Sequence, residues 1–187
     1  MLFEPDRHEP LEAADWDAPR VHAALRTLVA DIEAARGADG QWPLHALDDE
    51  GDTPRGGFKS LYLGSAGMLW ALWMLRRAGA VDLQRDPAGD IAAVHAAYRA
   101  DPDTGEVVPS YFLGEVGILL AWWRLTGSAE AAGRLFDAVR ANIPNPTNEA
   151  LWAAPGTMVA AWHLWQASGE PRWRGLLWSW PRSGQAG

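Results

Sequence analysis

The sequence predicts an all-α domain built from antiparallel helical hairpins. Apolar residues recur at helical spacing or cover a whole segment, and no run alternates apolar and polar residues as a strand does. The chain also repeats itself. Leu63-Gly64-Ser65-Ala66-Gly67, Leu113-Gly114-Glu115-Val116-Gly117 and Ala153-Ala154-Pro155-Gly156 each open an apolar segment that Gly79, Gly127 or Gly169 closes. Gly67, Gly117 and Gly156 stand 50 and 39 residues apart, the period of one helical unit used repeatedly. Finally, these apolar segments alternate with amphipathic ones, the pattern of an inner and an outer layer.

Each element has a local justification. Asp17 is a good N-cap for the first helix, and Pro19 follows in the first turn, where its missing N–H costs nothing. Val21, Leu25, Leu28, Val29 and Ile32 share one face, and Gly37 closes the helix. Residues Ala38 to Lys59, rich in Gly, Pro and Asp, read as a long loop. Within it, Trp42-Pro43-Leu44-His45 is an apolar patch expected to be pinned against the body. The second helix, about Ser65 to Ala78, carries Met68, Leu69, Trp70, Leu72, Trp73 and Leu75 around nearly its whole circumference. Burial on both sides is therefore expected. The third runs from Asp86-Pro87 to Ala100 with Ile91, Val94 and Tyr98 on one face, as an outer helix should. Asp101 to Ser110 is a turn-rich connector. The fourth, about Gly114 to Leu125, is again apolar nearly all round. Ser128 caps the fifth, whose stripe is Leu135, Phe136 and Val139, and Asn142 to Asn148 breaks on two prolines. The sixth runs from about Pro155 to Ala167, and Pro171 to Trp180 is a short last helix.

Composition narrows the function classes. A chain of 187 residues with 48% hydrophobic and 21% charged residues supports one domain with a real core. Twelve tryptophans demand large packed surfaces or an aromatic-lined cavity. A net charge of −8 without a basic run argues against nucleic acid. Arg76 and Arg77 interrupt the longest apolar run, so no membrane span is expected. The opening residues lack a signal pattern, which reads as a cytoplasmic protein. Cysteine is absent, so there is no disulfide, thiolate nucleophile or cysteine-ligated zinc.

The three motif segments, with flanking Leu61-Tyr62, Tyr111-Phe112, Glu149-Ala150-Leu151-Trp152 and Thr157-Met158, resemble the repeats of lanthionine synthetase C-like proteins. The opening Met1-Leu2-Phe3-Glu4-Pro5-Asp6-Arg7-His8 and the Trp42 patch are also similar to bacterial members, and the resemblance covers roughly residues 1 to 178. It implies an α/α toroid, laid out like the six-hairpin glycosidases, of which this chain carries about three of seven hairpins. It implies peptide modification, in which zinc held by two cysteines and a histidine activates a thiol for addition to a dehydroamino acid. A peptide substrate or small thiol would be the partner. With no cysteine and no His-Gly pair, this chain departs from that pattern, and zinc is expected only in full-length members. The expectation is a zinc-less, catalytically inactive fragment, from truncation or a frameshift, with residues 179–187 as an atypical tail. Open hairpin edges would then favour self-association.

Four residues are placed nearest a pocket: Glu115, Glu149, Trp152 and His163. Glu115 lies in the first turn of an inner helix, where the helix dipole favours a carboxylate. Glu149 precedes the third motif, and capping or solvation is the competing reading for both. His163 lies within an apolar helix and is read as a core or pore-lining histidine with a local hydrogen-bond partner, in preference to a catalytic one. His22 and His95, each four residues before an arginine on an outer helix, read as solvated. His8 and His45 show no ligand spacing, and Asp48-Asp49-Glu50 with Asp52 reads as a solvated run; no metal ligand is assigned. The glycines at the inner helix starts either allow close backbone approach or expose N–H groups to an anionic or carbonyl ligand. Two alternatives to the enzyme family stay open. One is a carbohydrate-active α/α barrel using Glu115 and Glu149 as paired carboxylates. The other is a non-catalytic helical interaction module.

Overall fold

The computed structural model describes residue 13 and residues 15–44 and 57–179. His8, His45, the acidic run from Asp48 and the tail beyond Ser179 lie outside the described residues. Seven helices and no strand occur among the described residues: α1 (Ala18–Ala34), α2 (Ser65–Arg77), α3 (Pro87–Ala100), α4 (Glu115–Thr126), α5 (Ala129–Asn142), α6 (Ala154–Ser168) and α7 (Pro171–Trp178).

Local chemistry sets their ends. Asp17, Asp86 and Ser128 cap α1, α3 and α5 through side chains that accept from Arg20, Ala88 and Ala131 N–H. The inner helices α2, α4 and α6 start differently, on Gly64, Gly114 and Ala153, without a side-chain cap from these residues. Gly127 and Gly169 end α4 and α6 with φ of 68° and 70°, a left-handed conformation that glycine adopts without a Cβ penalty. The first helix ends at Ala34, three residues before Gly37, which instead closes a tight loop by donating to the Gln41 carbonyl at 2.7 Å. Trp42 is pinned as expected: its indole donates to the Ile32 carbonyl at 2.7 Å, and the Arg36 guanidinium lies 4.8 Å over its ring.

Helix α4 is the centre of the molecule. It packs beside α2 and α6, with α3 and α5 behind it. Its Ile118 and Ala121 join the core with Leu69, Ile91, Val94 and Tyr98. Its Val116, Leu119 and Leu120 join the core with Leu135, Val139, Leu164, Trp173 and Leu176. A third cluster, Val29, Leu72 and Val81, attaches α1. Burial on both sides, expected of the helix that became α2, is therefore found in α4 and not in α2. On α2 Met74 is 45% exposed, and on α6 Val159 and Trp162 are 41% and 46% exposed. The reason is positional: α2 and α6 each have an inner neighbour on one side only among the described residues.

Candidate functional site: a concave cavity over the central helix

The repeat is a physical joint as well as a sequence pattern. A Cβ on Gly67, Gly117 or Gly156 would collide with the carbonyl oxygen of the residue six earlier, Leu61, Tyr111 or Ala150. The motif loop thus folds directly onto the first turn of its own helix, and only glycine leaves room. The loops also engage one another. Tyr62 N–H donates to the Phe112 carbonyl at 3.0 Å, and the Ser110 hydroxyl donates to the Leu151 carbonyl. The Leu61 side chain lies against Gly117, and Tyr111 lies against Gly156. Successive loops therefore stack at one end, which makes α2, α4 and α6 run parallel.

That parallel arrangement creates a cavity of about 220 Å³. One stripe of α4, Gly117, Leu120, Ala121 and Arg124, forms its floor at helical spacing. Trp70 of α2 and His163 of α6 flank it, and the loop residues Leu61 and Tyr111 close an end. Burial lowers the His163 pKa, and the nearby Arg124 charge lowers it further, so the ring is neutral at pH 7. Burial raises the Tyr111 phenol, with Arg124 opposing weakly.

The four sequence candidates separate. His163 lines the cavity; Glu115, Glu149 and Trp152 do not. Glu149 is a cap. Its carboxylate accepts from Leu151 N–H at 2.6 Å, from Ala153 N–H at 2.8 Å, and from Trp152 N–H. Slight desolvation opposes ionisation there, but the three donors outweigh it and hold the pKa below the usual glutamate value. Trp152 is 41% exposed beside that cap.

Glu115 sits in the seam between α3 and α4. Its Oε1 meets His95 Nε2 and Arg99 Nη1, each at 2.8 Å. His95 is therefore not the solvated outer-helix residue that its sequence position indicates. It is buried, 3% exposed, and its ring lies 5.5 Å from Trp122. His22 is exposed, as read. Desolvation alone would raise the Glu115 pKa, but the hydrogen bonds from His95 and Arg99, with their charges, bring it below its ordinary value. A carboxyl whose folded pKa is lowered contributes stability above its unfolded pKa of about 4.3, and that contribution fades as pH falls through the folded value. Glu115→Gln is expected to destabilise by about 1–3 kcal/mol at pH 7. Denaturant titrations should show the gap to wild type shrinking as pH falls below the ordinary glutamate range. A gap independent of pH would contradict this origin.

Local sequence pattern does not mark Arg124, Tyr111 or Trp70 as site residues. The repeat register held the missing signal: Arg124 and His163 both stand seven residues after a motif glycine, so they share one inner-face position. Among the described residues no group of three His, Asp or Glu side chains could hold a metal ion. With no cysteine in the chain, a two-cysteine, one-histidine zinc set cannot be assembled from its residues. No helix among the described residues is long and apolar enough to cross a membrane. Compared with protein-family models, curated proteins and solved structures, the chain matches none. What fold and site define, among the described residues, is a layered all-α protein with a largely apolar cavity that Arg124 lines, on the face shared by its parallel helices.

Proposed function

We propose that this chain is a lanthionine synthetase C-like repeat protein, an arc of an α/α toroid that serves as a helical binding module and lacks thioether-forming activity of its own. One observation carries the reading. Gly67, Gly117 and Gly156, which carry the sequence likeness, play the same structural part in three successive units, each admitting its own loop onto the start of an inner helix. Parallel inner helices backed by outer ones are the layout that likeness implies. The zinc ligand set of the cyclases does not fit these residues, so no thiol-activation step is assigned. The carboxylate-pair alternative has no support at the cavity, because Glu115 is engaged by His95 and Arg99 and Glu149 by backbone N–H groups.

The test combines the purified chain with a dehydroalanine-containing peptide and glutathione, with and without zinc. No rate above buffer and substoichiometric zinc by elemental analysis are expected. Acceleration of thioether formation, or tight one-to-one zinc, would overturn the non-catalytic assignment.

A further inference from the structure

We propose that the cavity over α4 binds a carboxylate borne on a single apolar or aromatic group, either a small free acid or the C-terminal residue of a peptide. The inference stands on the cavity's own chemistry and does not need the family likeness.

Among the described residues, Arg124 is the one Arg, Lys, Asp or Glu side chain that lines this cavity. Its guanidinium lies 5.6 Å over the Trp123 ring and forms no ion pair among the described residues. A guanidinium steadied on an aromatic face, with its N–H fork unclaimed by an acid, is suited to bidentate recognition of a planar carboxylate. The chain as a whole carries −8, so a solitary cation facing an apolar hollow is a selective feature, not part of a general basic surface.

The rest of the wall sets what the carboxylate is attached to. Trp70, Leu61, Leu120 and Tyr111 present apolar or aromatic surface, and Ala121 and Gly117 leave depth on the floor. An apolar cavity of about 150 Å³ accepts a benzene ring, so about 220 Å³ takes one ring or branched chain with a short tail. His163 adds a polar edge to that wall.

Isothermal titration of the full chain with 3-phenylpropionate and 3-phenylpropionamide tests the idea. The acid should bind about tenfold more tightly than the amide, the scale of a charge-assisted hydrogen-bonded contact. Arg124→Gln should abolish the difference, and Arg124→Lys should restore part of it. Arg124 is exposed, so both variants are expected to keep the wild-type Tm, which a melt verifies. Acetyl-Gly-Phe as free acid and as amide separates the two sources: discrimination there assigns the site to peptide C-termini, and discrimination confined to phenylpropionate assigns it to free acids. Equal binding of acid and amide, no binding of either, or discrimination that survives Arg124→Gln would overturn the proposal. None of these results depends on the thioether assay, so the two readings fail separately.

Discussion

Replacing Trp173 by alanine is expected to cost about 3–5 kcal/mol, the range for removing a fully buried large aromatic side chain. Trp173 is 0% exposed although it sits on the eight-residue helix α7. Its ring meets Phe136 of α5 edge-on at 5.5 Å and lies in the cluster with Leu135, Val139 and Leu164. It therefore ties the last helix to both α5 and α6, and so indirectly to α4. A loss of that size is a large part of the roughly 5–15 kcal/mol that holds a domain folded. Urea titration of wild type and Trp173→Ala should show a lower midpoint, with Trp173→Phe recovering part of it. A midpoint shift corresponding to less than about 1 kcal/mol would mean that α7 is not anchored in this way.

Gly117→Ala is expected to cost about 3 kcal/mol, at the upper end of the usual overpacking penalty. The added methyl would meet the Tyr111 carbonyl, which is backbone and cannot rotate away, and would lie 2.9 Å from the Leu61 Cβ. Two joints are disturbed at once: the loop on its own helix, and the first loop on the second unit. Gly133→Ala is the matched comparison. Gly133 is also helical, in α5, but a Cβ there meets nothing within 4 Å. That change should stabilise by up to about 1 kcal/mol, because alanine is the better helix former. The same chemical substitution with opposite signs isolates the joint from helix propensity. Equal effects at the two sites would remove the structural meaning given to the repeat.

Elements with strong local signals form close to where the sequence places them. Asp17 and Ser128 act as the caps the sequence indicates, because an N-cap is a contact between residues a few positions apart. Helix bounds moved by one or two residues, as with α6, which begins at Ala154 and ends at Ser168. The faces of α3 and α5 also follow, with Ile91, Val94, Tyr98, Leu135 and Val139 buried and Phe136 of the α5 stripe half-buried. His95 departs from its local pattern. Histidine followed four residues later by arginine on an outer helix is locally indistinguishable from a solvated pair, and only the arrival of Glu115 from α4 makes it a buried partner. Lys59 shows the same limit: it stands at the edge of a polar loop in sequence, yet is 1% exposed and meets Asp101 Oδ2 at 3.2 Å.

The site divides along the same line. His163 was visible as a polar residue inside an apolar helix, but its companions were not, because they come from α2, α4 and two loops far apart in the chain. Glu115 and Glu149 look alike as acids beside inner helix starts. One spends its charge on another helix and the other on its own backbone, and the choice depends on which donors the fold delivers.

Local order was the province of the amino-acid sequence: helical periodicity, cap chemistry and the recurrence of glycine at three helix starts all act over a few residues, where covalent geometry and short-range hydrogen bonding dominate. The tertiary structure alone decided that those glycines join neighbouring loops, that His95 is buried, and that Arg124 and His163 face one hollow. Those outcomes depend on which surfaces exclude water together, and that is a property of the packed chain rather than of any segment of it.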